Sequence, residues 1–345
     1  MKRTLRTLVV LLLLGAAGGA GFVWWNVDRF RKTQYGGPEE KVVLVPPGAS
    51  ARAVVHQLAA AGVLSHEGAA WLYVRWVRRD GRSFRSGEYS FAGALTPDEV
   101  LEKVHLGQVK LYRFTIAEGL RADEIADIVS RTGLVRAEEF LAVAHDPSVA
   151  RALGLPRAGL EGFLFPDTYA VPRGVTARGI AEMMVARFKA EYERANLHRK
   201  SGVTLELGDV ATLASIVEKE TGQPGERPRI ACVFFNRLKV GMRLQTDPTV
   251  MYATMLRTGH WSKNISRADL LAPHPYNTYT TAGLPPGPIA NAGGAALEAV
   301  PSPAECADLY FVSRNDGSHQ FCPDLACHNA AVRTWQVDFF RQHPR

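Results

Sequence analysis

In the run Leu213-Ala214-Ser215-Ile216-Val217-Glu218-Lys219-Glu220-Thr221, Glu218 places a carboxyl group at the end of an otherwise apolar segment. Val210, Leu213, Ala214 and Val217 recur at the spacing of one buried helical face. Glu218 follows the last of them by one residue, about 100° further round the helix, and so falls at the edge of that face. A carboxyl group half sunk among apolar side chains resists ionising. It remains a proton donor near neutral pH, which is what breaking a glycosidic bond asks of a general acid. A lone glutamate near a helix C-terminus is usually just a solvated group; what sets this one apart is the polar company downstream. Glu220 lies about 200° from Glu218. The two therefore do not face one cleft, and Glu220 is expected to make a helix-terminal or surface contact.

A second amphipathic segment follows, with Ile230, Val233, Phe234 and Leu238 on one side and Glu226 at its start, where a carboxylate suits the helix macrodipole. The polar run Met242 to Thr249 comes next, and Pro248 within it rules out a continuing helix. Tyr276 to Thr280 precede a Pro/Gly-rich loop from Gly283 to Asn291. Leu309 to Val312 reads as a strand, and Asp316-Gly317 signals a hairpin before His319, Phe321 and His328. Amide, hydroxyl and aromatic groups of this kind suit a sugar cleft. Gln245, Tyr276, Asn277, Tyr279 and His319 are the candidates for holding substrate. Asp247 either joins them as a second carboxylate or braces the turn at Pro248.

Leu213–Thr221, Val233–Leu238, Gly241–Thr249, Tyr276–Tyr279, Gly283–Ile289 and the His319-x-Phe321…His328 ending together resemble the signature blocks of the YceG-like endolytic murein transglycosylases, the MltG family, in order and spacing. That resemblance implies cleavage of the β-1,4 bond between N-acetylmuramic acid and N-acetylglucosamine within nascent peptidoglycan strands, with Glu218 as the catalytic residue. It also implies contact with peptidoglycan synthases. Two departures stand out: Ala292 where the family usually has proline, and Cys322 and Cys327 where polar residues are usual.

The elements that must position these groups can be read outward from there. Leu8 to Trp25 is an uncharged run of 18 residues preceded by Lys2, Arg3 and Arg6. Its length reaches the lower limit of a membrane-spanning helix, and the flanking cations place the N-terminus in the cytoplasm. A cleaved signal peptide competes with this reading, but the apolar run continues past the small residues Gly18 and Ala20. The chain is thus expected as a single-pass protein of the bacterial inner (cytoplasmic) membrane with its body exported. The net charge of +7 is scattered rather than striped, which argues against nucleic acid and fits an anionic wall or lipid surface.

Beyond the polar stretch 28–40, taken as a linker, an internal repeat appears. Val43-x-Val45-x-Pro47-Gly48 aligns with Phe114-x-Ile116-x-Glu118-Gly119 at an offset of 71, and the segments around Tyr89 and Tyr169 align at an offset of 80. Each copy reads as strand, helix, helix, strand, helix, and resembles the LysM-like modules that bind N-acetylglucosamine-containing glycans. The fold expected is α+β: residues 1–27 as cytoplasmic tip and transmembrane anchor, 41–110 as a LysM-like module, 111–200 as a second repeat-like unit packed with the catalytic region, and 201–345 as the catalytic domain. Both copies acting only as scaffold is the alternative.

Cys232, inside an apolar helical run, is expected as a buried small hydrophobe. An export compartment permits a Cys322–Cys327 bridge, with Cys306 as another possible partner. His319, Cys322, Cys327 and His328 match no standard zinc spacing; neither metal nor cofactor is called for. The mechanism expected is lytic, with Glu218 as acid and then base and with 1,6-anhydro ends as the product. A hydrolytic muramidase and a non-catalytic wall-binding protein are its rivals.

Overall fold

A computed structural model of the chain describes residues 2–77 and 83–343. It divides into two compact units, Met1–Tyr112 with Ala170–Gly174, and Arg113–Tyr169 with Val175–Arg345.

The first unit opens with helix α1 (Lys2–Lys32), in which Arg6–Lys32 is long and apolar enough to cross a membrane. Strand β1 (Lys41–Val45) pairs antiparallel with β2 (Gly87–Phe91), Val43 opposite Tyr89. Between them lie α2 (Ala51–Ala60) and α3 (Glu67–Leu72), the latter continued by a π-helical turn through Val77; α4 (Pro97–Leu106) follows β2. Local chemistry fixes the helix starts. Ser50 caps α2 through its hydroxyl, and Thr96 and Glu99 form a reciprocal capping box on α4. The core gathers Val43, Val45, Val55, Leu58, Tyr89, Leu101 and Val104 with Val27 and Phe30 of α1. The stretch 28–40 expected as a linker is helical as far as Lys32. Val27 and Phe30 lie three residues apart on one helical face, and burying them carries α1 on to Lys32. Tyr35 then exchanges backbone hydrogen bonds with Leu95.

The same order recurs from Leu111 onward, most of it in the second unit. Strand β3 (Leu111–Thr115) and β4 (Thr168–Pro172) form a two-stranded sheet, with α5 (Ala122–Ser130), α6 (Ala137–Ala144) and the inserted α7 (Pro147–Ala152) between them. Helix α8 (Ala177–Asn196) follows. The two copies agree in detail. The Tyr89 hydroxyl donates to the Arg85 carbonyl and the Tyr169 hydroxyl to that of Phe165, each four residues back. Gly48 and Gly119 both turn the chain at φ +74°, where a side chain would be strained.

Helix α9 (Leu207–Glu220) is the centre of this unit, packed by α10 (Arg227–Lys239), α11 (Asp247–Thr258) and α13 (Gly294–Ala299). Short α12 (Arg267–Leu271) precedes the Pro/Gly loop. Pro248, read as a stop, instead lies in the first turn of α11, where its missing N–H costs nothing. The expected hairpin forms: β5 (Tyr310–Ser313) pairs antiparallel with β6 (His319–Cys322), and α14 (Leu325–Val332) follows. Cys322 is bonded to Cys327, and Cys232 to Cys306. The expectation for Cys232 is corrected accordingly: it is buried, but as half of a bridge whose partner lies 74 residues away.

Candidate active site

Helix α9 is buried all round from Val210 to Val217, not on one face alone. Its polar residues are satisfied locally: the Thr212 hydroxyl donates to the Gly208 carbonyl, and that of Ser215 donates to Thr212 while accepting from the Ile289 N–H. Three consecutive side chains then leave the helix end in three directions. The Lys219 ammonium donates to the Gly119 carbonyl at 3.1 Å. Glu220 turns inward, where the Thr246 hydroxyl donates to it. Burial pushes it up to about 7; of the two contacts expected for it, the helix-terminal one forms, with Thr246.

Glu218 points elsewhere, with 7% of its side chain exposed. Its Oε1 accepts from the Arg227 guanidinium at 2.9 Å and its Oε2 from the Gly293 N–H at 3.1 Å. Burial raises its affinity for a proton, with the nearby Glu118 carboxylate adding to the effect; Arg227 and the Gly293 N–H oppose this, and the net direction is upward. Each carboxyl oxygen still has a second lone-pair position free to carry or receive a proton.

Arg227, itself 7% exposed, also lies 3.5 Å from Glu118. Its Nε is buried and finds no hydrogen-bond partner among the described residues. Glu118 sits on the turn after β3, and that turn is pinned by Asn291. Gly119 donates to the Asn291 carbonyl, and the Asn291 N–H to that of Leu120, both at 2.8 Å. The Asn291 amide donates to Leu120 and to the Glu161 carboxylate, and accepts from the Leu164 N–H. A Cβ on Gly293 would overlap the Glu118 carboxyl, so close backbone approach is what lets the Gly293 N–H reach Glu218.

The substrate candidates fall into two groups flanking the end of α9. Gln245, Asp247, Tyr276, Asn277 and Tyr279 come together where segments 243–249 and 276–281 are laced through Thr246, Thr249 and Thr278. Glu220 ties this cluster to the helix. Gln245 is exposed at φ +48° and the Tyr279 hydroxyl donates to Asp247 at 2.6 Å. Tyr276 is half-buried with its ring 5.0 Å from that of Tyr252. Asn277 is buried, and its amide donates to the carbonyls of Asp269, Leu270 and Ala272. Those bonds make it a brace for its own loop rather than a group turned outward. His319 lies in the other group: its N–H and Nδ1 both meet Glu226, which also receives the Thr221 hydroxyl just beyond α9.

Glu118, Arg227, Gly293 and Asn291 escaped the sequence reading, although two of them left a trace. Glu118 occupies the position where the first repeat has Pro47. Arg227 sits at the start of α10, where a cation opposes the macrodipole unless a carboxylate compensates.

Glu161 shares the behaviour of Glu220, burial raising it to about 7 while it accepts from the Ala122 N–H and Asn291. A carboxyl raised in the folded state binds protons that the unfolded chain has released. The stability these two groups contribute is therefore greatest below the ordinary value of 4.5, falls as pH rises to about 7, and is level above that. The Glu220→Gln variant is expected to gain on the wild type between pH 5 and 7, by up to about 3 kcal/mol. Urea unfolding of both proteins across that range checks the sign.

Residues 43–334 match the sequence profile of the YceG-like family. The chain is 30% identical over 303 residues to a Bacillus subtilis protein named endolytic murein transglycosylase, covering 83% of this chain and 82% of that one. A Streptococcus pneumoniae protein of the same name is 28% identical over 337 residues, 89% of this chain and 60% of its own length. The crystal structure of a yceG-like protein from Listeria monocytogenes superposes with a TM-score of 0.57 at 30% identity, covering 85% of this chain and 98% of that one. With the match extending from β1 to beyond α14, the chain belongs to the YceG-like family.

Proposed function

We propose that this protein is a membrane-anchored lytic transglycosylase that cuts the β-1,4 bond between N-acetylmuramic acid and N-acetylglucosamine within nascent peptidoglycan strands. The observation that carries the reading is the setting of Glu218: a carboxyl group 7% exposed at the end of a buried helix, its proton affinity raised by burial and its two oxygens oriented by Arg227 and Gly293. The names of the Bacillus and Streptococcus relatives support the substrate class.

Glu218 in its protonated form donates its proton to the glycosidic oxygen as the bond to C1 breaks toward an oxocarbenium-like state. Arg227 and the Gly293 N–H stabilise the carboxylate that forms. That carboxylate takes the proton of the muramic acid 6-hydroxyl as its oxygen closes on C1, giving a 1,6-anhydro end and returning Glu218 to its starting state. The scheme needs no cofactor. Gln245, Asp247, Tyr276 and Tyr279 on one flank and His319 on the other are proposed to hold the strand, with Asn277 shaping the first flank from behind. The first repeat is proposed as a LysM-like module. Helix α1 is proposed as the single span in the inner (cytoplasmic) membrane, holding the site near newly made strands and the synthases that supply them.

One observation favours a second reading. Glu118 brings another carboxylate to the same Arg227 nitrogen that holds Glu218, and a hydrolytic muramidase uses such a pair, one group activating water. Digestion of purified sacculi with the purified protein separates the two. The lytic reading expects new ends lighter by one water than hydrolysed ends; fully hydrated ends would replace it with the muramidase.

A further inference from the structure

Helix α1 does not stop where its membrane-spanning stretch does. Its last turns are part of the first unit's core: Val27 and Phe30 are buried, and Phe30 packs on the rings of Tyr35 and Tyr73 at 5.7 and 6.1 Å. Arg31 meets Asp98 at 3.4 Å, and Asp98 also receives the Tyr73 hydroxyl. The unit is thus seated on the helix itself, and α3 packs against α1.

That seating creates an apolar cavity of about 410 Å³, walled on one side by Gly19, Val23 and Trp24 of α1 and on the other by Leu72 and Trp76. Leu72 is 40% exposed and Trp76 57%. Gly19 lies about 9 Å below Trp25 along the helix axis, at 1.5 Å per residue. Side chains that share a cavity with Gly19 and Val23 share their depth. If Leu8–Trp25 spans the bilayer, Leu72 and Trp76 cannot be in water.

We propose that the segment Glu67–Val77 is a membrane-dipping element: Leu72 and Trp76 enter the leaflet from which the unit emerges, and a phospholipid acyl chain fills the cavity beside α1. The charges fit that occupant. The Arg29 guanidinium lies over the Trp25 ring at 5.6 Å and that of Arg75 over Trp76 at 5.7 Å, pairing a cation with an aromatic on α1 and on the Glu67–Val77 segment alike. Both guanidinium groups suit anionic headgroups at the level where the helix leaves the leaflet. The first unit then rides on the membrane surface at a fixed height and tilt, which sets the level at which a strand is presented. This inference rests on reading α1 as a membrane span.

The test uses the full-length protein in vesicles of phosphatidylglycerol and phosphatidylcholine. Its four cysteines are paired, so an added cysteine takes a nitroxide label selectively. Leu72→Cys and Trp76→Cys are labelled separately, with Val23→Cys as a mark within the span and Leu197→Cys as a mark in water. Collision with oxygen against a water-soluble nickel chelate then reports depth. Both labels at 72 and 76 are expected at the depth of the Val23 label to within ~5 Å, with chelate access at least about tenfold below that at 197. Chelate access at 72 and 76 equal to that at 197, with 23 still in lipid, overturns the dipping element and leaves the anchor standing. Chelate access at 23 as well removes the anchor, and the proposal with it.

Discussion

Glu218→Gln is expected to lose at least about 10³-fold in turnover of purified sacculi, with binding to them unchanged. General acid–base catalysis contributes ~10²–10⁴-fold per positioned group, and in the proposed mechanism one group serves both proton transfers, so its loss cannot be shared out to a neighbour. Glutamine keeps the volume, and its carbonyl oxygen can still accept from the Gly293 N–H or from Arg227. Arg227 keeps Glu118 at 3.5 Å, so no cation is left wholly unpaired. The fold should therefore hold, with a far-ultraviolet circular dichroism spectrum like that of the wild type. Release of soluble fragments measured by mass spectrometry, beside sedimentation with the same sacculi, reads both halves of the expectation. A variant that retains more than a tenth of the activity would remove Glu218 from the chemistry.

The elements legible in the sequence were those specified by near neighbours. Val210, Leu213, Ala214 and Val217 announce α9, Asp316-Gly317 announces the β5–β6 hairpin, and the repeat offset of 80 aligns the two tyrosines that make the same four-residue hydrogen bond. What could not be read depends on partners far along the chain. Cys232 looks like an ordinary helical core residue until α10 meets the segment carrying Cys306. Asn277 has the composition of a sugar ligand, yet three carbonyls of the preceding turn take up its amide. Residues 28–32 are polar enough to suggest a linker, and only the folded unit shows that Phe30 has a core to enter. Site residues behave the same way. Glu218 carries its apolar context with it in sequence, whereas the groups that orient it come from residues 118, 227 and 293, each supplied by a different element.

Arg227→Gln is expected to move the alkaline limb of the pH–activity profile upward by about one unit or more and to lower turnover by roughly 10–100-fold. The sign follows from which form of Glu218 starts the reaction. In the proposed mechanism activity needs the protonated acid and declines as pH passes above its pKa. Arg227 is the main influence holding that pKa down against burial, and an opposite charge at hydrogen-bond distance typically lowers a carboxyl pKa by ~1–3 units. Without it, burial and the Glu118 carboxylate act unopposed except by the Gly293 N–H, so the proton is held to higher pH. The same change slows the reaction, because the carboxylate formed as the bond breaks has lost its cation. A residue that merely propped up the fold would lower activity at every pH without moving the limb. Arg227→Lys separates charge from geometry: the limb should return toward the wild-type position while turnover stays reduced, since an ammonium restores the field but not the two-carboxylate fork. A limb that stays fixed in Arg227→Gln, or moves to lower pH, would mean that Arg227 does not set the proton affinity of Glu218.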